Sequence, residues 1–198
     1  MFIIIKSVVC IFADIMYLIC NADLKAVIDM DVSRNLKWDK NKDRLKGRYI
    51  RLNHLLLTKK EFRSIFYYRV KQHRCLSALS GIFLPHAKAI EFGGGNIGGG
   101  LMVSHYHSVI CPKKAGKNFR VGPGAVIDKD GEAPTFGDNV YVASNSTVLG
   151  GFQIGSNVII GAGSVVTGDL QGNGVYVGNP ARLIKSIDDN EALLNEIM

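Results

Sequence analysis

The chain has 198 residues, 47% of them hydrophobic and 21% charged, with a formal net charge of +7. This is enough apolar material for one large domain, or for a domain with a helical appendage. The positive charge does not mark a nucleic-acid binder: Lys and Arg concentrate in residues 34–74, with no zinc-finger, homeodomain or single-strand-binding signature among them. They read as a solvated helical surface, with an anionic ligand or lipid headgroup as the other use of such charge. Cys10, Cys20, Cys75 and Cys111 lack the close spacing of a metal knuckle or redox motif. They are expected to be free thiols, mostly buried, in a reducing, cytoplasmic compartment.

Residues 1–20, MFIIIKSVVCIFADIMYLIC, are very apolar, but Lys6 and Asp14 interrupt the run. A spanning helix would bury both charges, at roughly 2.5–3.5 kcal/mol each. No basic segment precedes the apolar run and no clear small-residue cleavage site follows it, so a signal peptide is not expected. The expectation is a helix packed on its own protein, with peripheral membrane contact through residues 1–20 as the alternative.

Residues 1–80 are expected to form an N-terminal helical region. Asp29 to Ser33 reads as a helix start. Thr58 with Glu61 fits a capping box, in which the hydroxyl and the carboxylate reciprocally satisfy free N–H groups. Phe62, Ile65, Phe66 and Arg69 then follow at helical spacing, and their aromatics read as packing residues. A linker is expected to end near Gly81.

Pro85 opens the approach to a different pattern. The glycines of EFGGGNIGGG (Gly93, Gly94, Gly95) superficially resemble a phosphate-binding loop. No Gly-x-Gly-x-x-Gly stands between strand and helix, however, and no Gly-Lys-Ser/Thr follows. They fit the corners of a coil better. From Ile97 the chain keeps a six-residue beat: Ile97, Val103, Val109, Ala115, Val121 and Ile127, then Phe136, Val142, Val148, Ile154, Ile160 and Val166. A helix has a period near 3.6 and a strand a period of 2, so a sustained period of six fits neither alone. It fits short strands joined by tight turns, three strands and 18 residues per rung, which is a parallel β-helix. The inward aliphatics would stack into one core, and Gly and Asn would turn the corners.

Residues 128–135, DKDGEAPT, add three residues to the rhythm and are expected to bulge from the coil as a possible substrate wall. Residues 170–184 read as a loop, and residues 187–198 as a short helix covering the open end. The β-helix is thus expected over residues 81–186. Such prisms often associate through one face, so a homotrimer is expected, with Tyr141 and Leu149 as contact residues.

The polar cluster Ser104, His105, Tyr106, His107 and Ser108 falls between two beat positions, on a turn or the outer surface. An imidazole titrates near neutral pH, so it can take a proton from an alcohol and return it to a leaving thiolate. His105 is the candidate base, and His107 and Tyr106 are candidate acceptor contacts. Glu91, 14 residues back, is the candidate carboxylate that orients the base; Asp128, Asp130 and Glu132 are alternatives. A zinc site on His105, His107, Cys111 and Glu91 is the competing idea, but only the two histidines are close in sequence. Lys113, Lys114, Lys117, Arg120, Arg182 and Lys185 are candidate partners for the phosphates of a nucleotide-bearing substrate.

VSHYHSVI, APTFGDNVYVASNSTVLGGFQIGSNVIIGAGSVVTGDL and VYVGNPARLI together resemble the hexapeptide-repeat acyltransferases, over about residues 85–186. The likeness is closest to the serine acetyltransferase branch and its sugar-acetylating relatives. It implies a mainly β fold, a left-handed parallel β-helix; the left hand rests on the resemblance alone, because parallel crossovers are otherwise right-handed. It implies a homotrimer that uses acetyl-CoA as acyl donor in clefts between adjacent coils. His105 falls where the family's general base stands. The pantetheine arm would run near Ala143, Gly161 and Ser164, and the nucleotide end near Arg182 and Lys185. Ser104 stands where serine acetyltransferases have an aspartate, and Ala133 where they have a second, acceptor-side histidine. These departures weaken serine as acceptor and leave the role of His105 intact. The expected function is therefore acetyl transfer to a hydroxyl of serine or of a sugar. A zinc-dependent hydrase or a non-catalytic β-helix is the alternative.

Overall fold

A computed structural model describes residues 2–105 and 107–188. Tyr106, and the expected helical tail beyond Asp188, lie outside the described residues. The chain divides into two compact units, Met1–Lys88 and Ala89–Met198.

The first unit is helical. α1 (Phe2–Ile19) is followed by α2 (Ala22–Leu36), a 3₁₀ turn (Lys42–Arg44), α3 (Arg48–Thr58), α4 (Lys60–Arg69) and α5 (Arg74–Phe83). α2 starts seven residues before the expected Asp29, because the Asn21 side chain accepts a hydrogen bond from the Leu24 amide at 2.9 Å and caps the helix there. Its Ile28, Val32 and Leu36, four apart, face the core. They meet Met16 and Tyr17 of α1, Leu52, Leu55 and Leu56 of α3, and Phe62 and Phe66 of α4. The helical run from Phe62 is as expected, with Phe62, Ile65, Phe66 and Arg69 all buried.

Two local expectations are corrected. The capping box does not form: Thr58 ends α3 and its hydroxyl donates to the His54 carbonyl at 2.6 Å, while α4 begins at Lys60 with no side-chain cap. The stretch read as a linker ending near Gly81 is α5. It runs Arg74–Phe83 and is tied inward by Ser77, which contacts Met16 Sδ at 3.4 Å, and by Ser80, which accepts from the Tyr67 hydroxyl at 2.9 Å.

The second unit is a parallel β-helix. Fourteen short strands, β1 (Ile90–Phe92) to β14 (Gly174–Val177), wind through three sheets. β1, β4 (Ser108–Ile110), β7 (Val126–Asp128), β10 (Thr147–Leu149) and β13 (Val165–Val166) form one face. β3 (Met102–Val103), β6 (Arg120–Val121), β9 (Val140–Val142), β12 (Val158–Ile160) and β14 form the second; β2 (Asn96–Ile97), β5 (Lys114–Ala115), β8 (Thr135–Phe136) and β11 (Gln153–Ile154) form the third. Partners are 18 residues apart where the rhythm is regular, as in Asn96↔Lys114 and Tyr141↔Ile159. Across the insertion they are 21 apart, as in Lys114↔Thr135, so the three extra residues leave the coil as expected. The bulge turns at Gly131, with the Glu132 amide bonded to the Asp130 carbonyl.

The beat positions are buried, with one exception. Val109 faces outward and Ile110 is the fully buried residue of β4. The preceding turn holds His105 and His107 in the left-handed region (φ 65° and 66°) and is one residue longer than its neighbours. The next turn is correspondingly shorter, so Ala115 falls back into step. The late segment read as a loop contains β14 and an antiparallel β15 (Arg182–Ser186), which closes the second sheet. Tyr141 is half-buried: Arg120 lies 4.5 Å over its ring, and it packs against Ile159 and Ile187. Leu149 remains exposed.

Candidate active site

The centre of the site is one corner of the coil. Ser104, Gly122, Ala143 and Gly161 follow the strands of the second sheet and stack there. Their amides donate to the carbonyls of Val121, Val142, Ile160 and Tyr176 at 2.8–2.9 Å. His105 sits on this column immediately after Ser104, exposed, and His107 is exposed two residues on. Directly after His107, the buried Ser108 donates its hydroxyl to the Gly122 carbonyl at 3.1 Å. At the usual strand spacing, His105 and Gly161 are three rungs, about 14 Å, apart. The corner therefore sets His105 and His107 at one end of a column that runs on through Ala143 to Gly161.

Other predicted residues lie elsewhere. Glu91 is exposed on the first sheet, in register with Val109, one strand away from the histidine turn. Ala133 is half-buried at the end of the bulge. The bulge acids are partly engaged, Asp128 with the Lys129 amide at 2.8 Å and Glu132 with Lys113 at 3.3 Å. Ser164 is fully buried: its hydroxyl accepts from the Gly178 amide at 3.1 Å, its own amide donates to the Gly161 carbonyl and its carbonyl accepts from the Thr147 amide. Arg182 and Lys185 are exposed on β15. Arg120 is buried and stacked on Tyr141, away from any role as a surface cation.

Ser104 carries a feature that its residue type does not announce. Its hydroxyl is buried and has no hydrogen-bond partner among the described residues. The available signal was its position, directly before the candidate base. Burial raises the Cys111 thiol, with Asp128 adding to the effect, which disfavours thiolate chemistry there. Among the described residues no three of His, Cys, Asp and Glu converge as a metal site. A groove of about 310 Å³ on the third face, lined by Lys114, Thr135, Gln153, Asp169 and Gln171 among others, does not include the histidine corner.

Residues 133–168 match the family model described as bacterial transferase hexapeptide (six repeats). Among curated proteins, 2,3,4,5-tetrahydropyridine-2,6-dicarboxylate N-acetyltransferase of Staphylococcus aureus is 34% identical over 88 residues, 42% of this chain. The match spans 37% of that relative's length. Among solved structures, soybean serine acetyltransferase complexed with serine is similar with a TM-score of 0.64 and 26% identity, covering 83% of this chain and 70% of that one. Serine acetyltransferase of Brucella abortus strain S19 in complex with coenzyme A shares the fold, with a TM-score of 0.63, 20% identity and coverage of 90% and 74%. By repeat, fold and likeness together, the chain is similar to the hexapeptide-repeat β-solenoid acyltransferases, among them serine acetyltransferase and related N-acetyltransferases.

Proposed function

We propose that the chain is an acetyl-CoA-dependent O-acetyltransferase acting on a hydroxyl of serine or of a saccharide, as a cytoplasmic homotrimer. The observation that carries this reading is the exposed His105 on a corner whose later rungs carry Ala143 and Gly161. His105 removes the proton of the acceptor hydroxyl as its oxygen attacks the thioester carbonyl. N–H groups outside the corner's own ladder stabilise the oxyanion. As the carbon–sulfur bond breaks, the imidazolium returns the proton to the thiolate, leaving an ester and free CoA. Glu91 is the proposed carboxylate partner of the base. Tyr106, His107 and Ala133 border the acceptor. Ala143, Gly161 and Ser164 line the pantetheine arm, and Arg182 and Lys185 meet the nucleotide phosphates.

The acceptor follows from two substitutions. Ser104 and Ala133 remove an aspartate and a histidine that would hold an amino acid's charged groups, which favours a saccharide hydroxyl. The soybean relative bound to serine supports the other choice. Release of free CoA from acetyl-CoA, followed with serine and with nucleotide- or lipid-linked sugars, separates the two. Release with sugars alone, or with serine alone, assigns the acceptor class. No binding of acetyl-CoA by the folded protein would leave a non-catalytic coil and overturn the reading.

A further inference from the structure

α5 is amphipathic in the wrong sense for a helix on a protein core. Its serines point inward, with Ser80 fully buried, while Leu79, Ile82 and Phe83 are 45%, 72% and 56% exposed. α1 packs beside it, with Phe12 and Phe83 stacked at 6.5 Å, and exposes Ile11, Ile15 and Leu18 at helical spacing. The two helices thus present an apolar face that nothing among the described residues of the helical unit covers.

The charge around that face names its partner. The chain's net charge of +7 is divided very unequally. Residues 1–88 hold 17 Lys and Arg against 7 Asp and Glu, net +10, whereas residues 89–198 hold 7 against 10, net −3. From Phe62 to Ile90 there is no acidic residue at all. Exposed Lys71 and Arg74 stand before the outward residues of α5, and exposed Lys88 after them. The acids on and beside α1 are engaged: Asp14 accepts from Asn53 at 3.1 Å with burial holding its carboxyl above the usual range, and the partly exposed Asp29 accepts from the Tyr17 hydroxyl and pairs with Arg48 at 3.2 Å. Exposed aliphatics bracketed by cations, without competing acids, match a bilayer surface with anionic headgroups, where apolar burial and charge attraction add. A second copy would instead set one +10 unit against another. Among the described residues no helix is long and apolar enough to cross a membrane, which leaves attachment in the plane of the interface.

We propose that the α1–α5 face docks the helical unit onto an anionic membrane surface. This is independent of the acetyl-transfer reading, since it uses none of the residues of the coil. The test is co-sedimentation of the full chain with vesicles of phosphatidylcholine alone and of phosphatidylcholine with phosphatidylglycerol, at low and high salt. Binding to the acidic vesicles is expected, weakened by salt and absent on the neutral ones. Leu79→Ser with Ile82→Ser is expected to lower binding at least about tenfold with the melting temperature unchanged. Lys71→Gln with Arg74→Gln, which leaves the apolar packing untouched, is expected to lower it about tenfold as well. No binding to acidic vesicles overturns the proposal. So does binding unchanged in the charge variant, or concentration-dependent self-association that the serine variant abolishes while vesicle binding is absent.

Discussion

Gly95 shows how a single atom is excluded from the coil. It sits at φ 95°, where L side chains are strained, and a Cβ there would lie 1.8 Å from the Pro112 carbonyl oxygen. Gly95→Ala is therefore expected to destabilise the coil by more than about 2 kcal/mol, read by chemical denaturation. Asp39 carries the pH response of the helical unit. Burial raises its carboxyl, but the Asn41 amide and the His54 imidazole outweigh burial and hold it below the usual carboxylate range. A depressed folded value means that its contribution is present above the unfolded carboxylate pKa of about 4 and is lost as pH falls through the folded value. Asp39→Asn is expected to remove that part of the acid dependence below about pH 4, measured by denaturation across pH. An unchanged acid limb would contradict it. At this scale the exposed placement of His105 and His107 was legible, because two histidines between apolar beat positions are poor core filler. The slip at Val109 was not, because Val109 and Ile110 are both aliphatic and only the left-handed turn before them decides which one faces inward.

Elements are held by ladders and by paired charges. Asn118, Asn139, Asn157 and Asn173 occupy one corner at φ 56–61°, and each side-chain amide donates to the next Asn carbonyl at 2.9–3.0 Å. Asn tolerates this backbone and adds a stacked hydrogen bond per rung. Asn139→Ala breaks the ladder on both sides and is expected to cost about 1–3 kcal/mol in equilibrium unfolding. In the helical unit, Arg69 of α4 meets Asp31 of α2 through two buried contacts of 2.8 and 3.1 Å. Arg69→Met strands a buried carboxylate and is expected to destabilise that unit by about 3–5 kcal/mol. The coil's strands were readable because one period governs them all. The helices were less so: Thr58 and Glu61 have the right types and spacing for a cap, but Thr58 belongs to the end of α3 and spends its hydroxyl on its own helix. α5 escaped notice because its outward face is the apolar one.

The whole molecule joins two units of opposite charge, a helical one of +10 and a coil of −3. Such polarity orients a protein at a charged surface without altering its fold. The proposed trimer belongs to the coil, where Leu149 is 42% exposed. Light scattering is expected to give three times the chain mass, and Leu149→Glu to shift it towards one; a monomer at all concentrations would contradict the assembly. The central claim concerns His105, and single-turnover transfer from acetyl-CoA to the acceptor tests it most directly. His105→Ala is expected to slow that step by roughly 10²–10⁴-fold while acetyl-CoA binds as before. A variant that transfers acetyl groups as fast as the native chain would mean that the corner histidine moves no proton.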